Sequence, residues 1–359
     1  MADPLEARAS APGDADFTVG RILIGEAVEL GHAWCQWLAD AHGIRILFLK
    51  GPALAEYSLR SPRPSTDIDV LVDPKKWDEF VAVATNAGWV EREYTAATQL
   101  LSTHSRNFVR ENWPCDLDLH RHYPGFLAPP ENVFETLWSR RSEIELGKVW
   151  CQVPDRNAAI LILALHSLRG VSAQPRHALE LRELIDQARL SSAEVADLGL
   201  LSRLVGCVST LGRVLNDLGV SVPAPEWERD SPELTQWRGL VASGASGTYR
   251  WLHALRAAPR ANRLGVVREA LWPSDRDLIL DHPSLSGGVV EMRRARMARL
   301  KRGLKALPRA IMAIVVSELP HQWRFTSIRM RIVRHSAEVV DPGRSSAARQ
   351  DPLPDRARS

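Results

Sequence analysis

Two short stretches most constrain what this chain can fold into. Thr66–Val72 reads TDIDVLV, and Cys115–His120 reads CDLDLH. Both alternate acidic and apolar residues with the two-residue period of a β-strand, on which side chains two apart share a face about 6.8 Å apart. Asp67 and Asp69 therefore share one face, while Ile68 and Val70 turn to a core. Asp116, Asp118 and His120 repeat the pattern. Charge on a strand is costly unless water, a counter-charge or a metal ion meets it. Where two such strands are neighbours, three or four carboxylates converge. That arrangement suits two Mg²⁺ ions about 3.5–4 Å apart in phosphoryl chemistry.

The segment before the first acidic strand fits the same chemistry. Ile44–Lys50 (IRILFLK) reads as a strand, followed by Gly51 and Pro52 and a helix over Ala53–Leu59. Proline suits the first helical turn, where its missing N–H has no partner to lose. Gly51 lets the backbone come close to a phosphate, and the helix start offers free N–H groups to it. Lys50, Arg60 and Arg63 are near enough in sequence to balance triphosphate charge.

Along the rest of the chain, apolar spacing predicts a helix over Val19–Ala41. Asp73 as a cap, Pro74 and a terminal Gly88 bound another. WVEREY, HSRNFVREN and CDLDLHRHY read as strands, so the first 120 residues run α, β, α, β, α, β, β, β. The predicted fold is α+β: a small mixed sheet with helices packed on it, then an all-α C-terminal domain. The texture becomes helical near Pro154, with helical period in RNAAILILALHSLRG, in HALELRELIDQARL and around Leu201–Leu218, Pro232–Leu240 and Tyr249–Ala257. The domain reading is a disordered lead-in over 1–17, a sheet domain over 18–154, a helical domain with a basic C-terminal segment over 155–335 and a disordered tail over 336–359.

Composition excludes several classes. The 359 residues are 45% hydrophobic and 25% charged, an ordinary globular balance. Four scattered cysteines form no C-x-x-C pair, which argues against structural zinc and a disulfide framework. His120 and His122 lack further zinc ligands at suitable spacing, and His120 reads as a hydrogen-bonded structural histidine; His166 and His177 read as structural too. No Walker phosphate loop is present, and GASG at Gly244–Gly247 reads as a plain loop. The N-terminus lacks a signal-peptide pattern, and no apolar run is long enough to span a bilayer, so the chain is expected to be cytoplasmic. Its alanine and arginine content suggests a bacterial source.

Charge is uneven. Residues 291–334 hold 12 Lys/Arg against 2 Asp/Glu, a balance of +10, and the remainder carries 34 against 41, a balance of −7. The basic segment reads as a solvated helix packed on the body, with contact to a polyanion or a membrane surface as its functional readings. Ala310–Val316 within it is too short to span a bilayer and reads as core.

The combined residues resemble the DNA polymerase β-like nucleotidyltransferase superfamily, and within it an uncharacterised bacterial nucleotidyltransferase branch. The likeness rests on Leu49-Lys50-Gly51, Arg63, Ser65-Thr66-Asp67-Ile68-Asp69-Val70-Leu71-Val72 and Asp118-Leu119-His120, with LALHSLRG, ELRELIDQARL and LWPSD in the helical half. It spans roughly residues 20–280. The resemblance implies that Asp67 and Asp69 hold both metal ions and that Asp118 is the third carboxylate, with Asp116 as its competitor. It implies Gly51, Lys50, Arg63 and Ser65 as nucleotide-binding residues, Mg²⁺ or Mn²⁺ as cofactor and an NTP, ATP first, as co-substrate. Pro52 departs from the family pattern, in which a serine or glycine follows Gly51. The implied reaction moves an NMP group to a hydroxyl or phosphate of a small molecule, sugar or peptide, with a biosynthetic cluster as its expected setting. Rival readings are a toxin–antitoxin or defence enzyme acting on tRNA or protein, and a non-catalytic nucleotide-binding protein. Because clustered carboxylates repel, replacing Asp67 or Asp69 is expected to abolish transfer and leave the fold intact.

Overall fold

The computed structural model describes residues 22–318, apart from 62, 64, 97–103, 171–173 and 245. The lead-in over 1–17, the tail over 336–359 and the basic residues past 318 lie outside the described residues. Helix α1 (Ile24–Ala41) opens the description, followed by β1 (Ile46–Leu49), α2 (Pro52–Glu56), β2 (Asp67–Val72), α3 (Trp77–Asn86), β3 (Val90–Glu91), β4 (Ser105–Val109) and β5 (Asp116–His120). This is the order read from the sequence. Asp73 caps the turn Pro74–Lys76 ahead of α3 by accepting the Lys75 N–H at 3.0 Å.

The five strands form one sheet in the order β1-β2-β5-β4-β3. Only β2 and β5 run parallel; the other pairs are antiparallel, so the sheet is mixed. Alternation gives the sheet two buried faces. Ile46, Phe48, Ile68, Val70, Leu117 and Leu119 pack with α1 and α3. Leu47, Leu49 and Leu71 point the other way, into a cluster with the helical half.

After β5 come α4 (Pro130–Ser139) and a hairpin of β6 (Ser142–Leu146) and β7 (Val149–Val153), elements the sequence reading left unassigned. The hairpin lies against α1 and β1: Gln36 accepts the Gln152 N–H, and Glu29 accepts that of Gly147, both at 3.0 Å. The helical half begins with α5 (Arg156–Gly170) and α6 (Pro175–Ala188), then α7 (Ser192–Leu204), α8 (Val208–Asp217), α9 (Glu226–Arg229), α10 (Pro232–Ser243), α11 (Gly247–Ala257), α12 (Arg263–Leu271), α13 (Asp275–Asp281) and α14 (Val289–Glu318). β7 ends at Val153 and helices follow from Arg156, yet Leu47, Leu49, Leu54, Leu59 and Leu71 share one apolar cluster with α5 and the helices after it.

Three local expectations change. The helix after Gly51 ends at Glu56, three residues early, because Ser58 takes a left-handed φ of 52°. The Leu201–Leu218 stretch is two helices broken at Gly206, whose φ of 70° turns its carbonyl to accept the Leu127 N–H at 2.9 Å. Ala310–Val316 is not a core run. The helical period puts Ala310, Ala313 and Ser317 inward and leaves Ile311, Met312 and Val315 about half exposed. Helix α14 packs on α10 and α11 and pairs Arg296 with Asp275 and Arg299 with Asp281, while Arg293, Arg294, Lys301 and Arg302 face solvent. Among the described residues no helix is long and apolar enough to cross a membrane.

Candidate active site

The parallel β2–β5 register sets Asp67 opposite Asp116 and Asp69 opposite Asp118. The sheet face carrying the acids is the one that faces the helical half, since Leu71 two residues beyond Asp69 joins that cluster. Asp69 is 5% exposed. Its Oδ2 lies 2.8 Å from Lys50 Nζ, and its Oδ1 3.1 Å from His120 Nε2. The same Nε2 is 3.2 Å from Asp118 Oδ2, so His120 bridges the two carboxylates. Asp118 Oδ1 is buried without a hydrogen-bond partner among the described residues.

These contacts set the charges. Burial opposes ionisation of Asp69, but Lys50 and His120 outweigh it and hold the carboxyl well below the usual carboxylate range. Burial likewise opposes charge on Lys50 and His120. Asp69 overrides it at Lys50 and raises the ammonium above its ordinary value. Asp118 and Asp69 raise the His120 imidazole to about 9. Asp67 differs: burial and then the Asp69 charge push its carboxyl up.

Lys50 and Gly51 both take left-handed φ values, 58° and 55°, at the end of β1. That conformation is uncommon for lysine and costs about 1–3 kcal/mol. It bends the chain so that Lys50 reaches Asp69. Ser65 Oγ donates to the Asp67 carbonyl at 3.1 Å and lies 3.8 Å from where a Cβ on Gly51 would stand. His32 Nε2 is 3.7 Å from that same point. The His32 ring is buried, its Nδ1 2.6 Å from the Val28 carbonyl oxygen and its Nε2 unpartnered among the described residues. Burial lowers its pKa to about 4.

The remaining predicted residues are placed as follows. Asp116, opposite Asp67, pairs with Arg92 at 2.7 Å where both are well exposed. Arg63 pairs with Glu180 of α6, and Arg60 Nη1 lies 3.4 Å from the same Glu180 oxygen. Pro52 is the first residue of α2, whose N-cap is Gly51.

Residues 36–205 match the model of a family described as an uncharacterised nucleotidyltransferase. The match spans 170 of the 359 residues. A search of curated proteins finds no match. Among solved structures the chain resembles three in part. The lincosamide antibiotic adenylyltransferase LnuA, bound to lincomycin, is 17% identical, with 44% of this chain and 94% of that chain covered and a TM-score of 0.30. An antigenic nucleotidyltransferase-like protein from Paracoccidioides brasiliensis is 11% identical, with 55% and 94% covered and a TM-score of 0.34. A tRNA-processing enzyme in an apo form is 14% identical, with 89% and 99% covered and a TM-score of 0.22.

Sequence reasoning missed part of the polar centre. Glu180, 3% exposed, accepts Arg60 and Arg63 on one oxygen and the Ser167 hydroxyl on the other at 3.0 Å. His177 Nδ1 lies 3.6 Å from that second oxygen and His166 Nε2 4.0 Å from it. In ELRELIDQ, Glu180 looks like one acid on a solvated helix face, and nothing local marks it as buried. His32 sits among apolar residues of α1 with no distinguishing signal either.

Proposed function

We propose that this nucleotidyltransferase moves an NMP group from an NTP, ATP first, to an acceptor hydroxyl or phosphate, with divalent ions held by Asp67, Asp69 and Asp118. The observation that carries the reading is Asp69 and Asp118 abreast across β2–β5, with the buried Asp118 Oδ1 lacking any partner among the described residues. An orphaned, buried carboxylate oxygen beside two more carboxylates is a donor set that fits Mg²⁺ or Mn²⁺. Such ions supply positive charge to the entering and leaving oxygens of the displacement.

The chain's own residues do the rest. Lys50 and His120 keep Asp69 ionised. The Gly51 turn, with Ser65 and His32 around it, is the place for the triphosphate, and Lys50 lies at its edge. The acceptor oxygen attacks the α-phosphorus, the bond to the β-phosphate breaks, and pyrophosphate leaves. Asp118 takes the acceptor's proton. Asp116 has its own partner in Arg92, which favours Asp118 as the third carboxylate. The helical part over 155–318 faces the acids and is proposed to shape the acceptor pocket.

The test is incubation with α-labelled NTPs, Mg²⁺ or Mn²⁺ and fractionated cell extract. Label should enter one acceptor fraction with wild-type protein and none with Asp67→Asn. Label uptake that is equal in the two would refute the assignment of the acids. An acceptor fraction that is tRNA or protein rather than a small molecule would move the enzyme to the toxin or defence class.

A further inference from the structure

Lys50, Gly51 and Ser65 stand at the Asp67 end of the carboxylate row. A second cationic group stands at the other end and plays no part in the transfer site. The His104 carbonyl accepts the Arg121 N–H at 2.8 Å, which places His104 past His120 at the far end of β5. The His104 ring centroid is 6.0 Å from those of both His120 and His122. Arg169, from the last turn of α5, brings Nη1 to 3.5 Å from His104 Nε2. Arg250, in the first turn of α11, is near enough to feel the Arg169 charge and has a buried Nε without a partner.

Among the described residues neither arginine meets a carboxylate. Arg45, Arg60, Arg140 and Arg156 each do. Burial and the Arg169 charge lower the Arg250 pKa, and burial, His120 and Arg169 press His104 down to about 2. Two partly buried guanidinium groups that repel each other, held off from the acids by His104 and by His120, whose own contacts take up Asp69 and Asp118, are uncompensated as they stand. An anion would satisfy them, and arginine's planar fork matches phosphate oxygens.

Position decides which anion. From Asp67 to Leu71, the residue opposite His120, the strand runs four residues, roughly 13 Å at about 3.3 Å each. The triphosphate is assigned to the Gly51 end, and the acceptor approaches from Asp118 and beyond. We propose that Arg169 and Arg250, with His104 and His122 beside them, bind a phosphate group of the acceptor, so the acceptor is a phosphorylated molecule rather than a neutral sugar or alcohol. This rests on the reading of Asp67, Asp69 and Asp118 as the transfer site.

The experiment titrates inorganic phosphate into the full chain by calorimetry, with the donor site filled by saturating α,β-methylene-ATP and Mg²⁺. Wild type should bind phosphate saturably. Arg169→Gln and Arg250→Gln should each weaken that binding at least tenfold and leave analogue binding within twofold. Melting curves check folding: removing an uncompensated cation should leave Tm equal or higher, and Arg250→Lys serves if a glutamine variant fails to fold. Phosphate binding that is absent in wild type, or unchanged in the variants, overturns the proposal. Analogue affinity that falls tenfold with the phosphate affinity overturns it too, because the cluster then serves the donor. A wild-type chain that binds phosphate through these arginines but no Mg²⁺-nucleotide would refute the transfer reading and leave the anion site standing.

Discussion

Replacing Asp69 by alanine should cost the metal-free chain about 3 kcal/mol of stability, contrary to the expectation that clustered acids can be removed freely. Asp69 is 5% exposed and its Oδ2 is 2.8 Å from Lys50 Nζ, itself mostly buried. Removing one partner of a buried ion pair costs about 3–5 kcal/mol, because the other charge is stranded. The Lys50 side chain keeps a 12% opening to water, which argues for the lower end. At about 2–4 °C per kcal/mol for a chain this large, Tm should fall by roughly 6–12 °C. The pH sign is fixed by the pair. Asp69 is held below its ordinary value, so its contribution is complete above about pH 4 and lost as pH falls through its folded pKa. Lys50 is raised, so its contribution is complete below about pH 10 and lost as pH rises past that. The difference between variant and wild type should therefore hold from about pH 5 to 6.5 and shrink as pH rises through 9, because Asp69 also raises His120. Urea unfolding at pH 7 in EDTA measures it. Lys50→Met added to Asp69→Ala should recover most of the loss, since an apolar chain of similar length strands no charge. An Asp69→Ala variant that unfolds with wild type, or one not rescued by Lys50→Met, would refute the argument.

Asp67→Asn should behave oppositely: burial and Asp69 already disfavour its charge, so metal-free Tm should hold or rise, while the upward Tm shift that Mg²⁺ gives wild type should vanish. His120, raised to about 9 by Asp118 and Asp69, contributes stability that is complete below about pH 6.5 and lost as pH rises through 9. In EDTA, wild-type Tm should fall across that window and the Tm of His120→Gln should not. Glu180→Gln leaves Arg60 and Arg63 short of their shared carboxylate and should lower stability by about 2–4 kcal/mol in denaturant titration. Asp116→Asn, whose partner Arg92 is half exposed, should change stability by less than about 1 kcal/mol and leave label transfer intact.

The acids were legible because their signal is local. A period of two in an otherwise apolar run, with charge on one side, fixes which residues share a face whatever the rest of the chain does. The helix after Gly51, the Asp73 cap and the order of the first eight elements were legible for the same reason. What depends on distant contacts was not. Nothing in DIDVLV or DLDLH says that they pair in parallel, or that Asp69 rather than Asp67 stands opposite Asp118. Nothing near Lys50 in sequence says that a left-handed turn its type disfavours aims its ammonium at Asp69. The Leu201–Leu218 break required Gly206 to meet Leu127, about eighty residues earlier in the chain.

The cations show why the helical half is more than a lid of apolar surface. In sequence, Glu180, Arg169 and Arg250 are charges at helical spacing, indistinguishable from a solvated face. In the fold, α6 reaches over with Glu180 and takes Arg60 and Arg63, anchoring the chain just ahead of the acidic strand. Those two arginines are thus neutralised before any nucleotide arrives, and so is Lys50 by Asp69. The uncompensated positive charge among these groups is left with Arg169 and Arg250, beyond His120. In the proposed reaction, a substrate entering this site would meet compensated charge at the Gly51 end, where metal ions would travel with the triphosphate and bring their own. At the far end it meets bare guanidinium groups, where an anionic acceptor would arrive without a metal. On the proposed reading, that asymmetry would put donor and acceptor on opposite sides of Asp69 and Asp118, the order an in-line displacement requires.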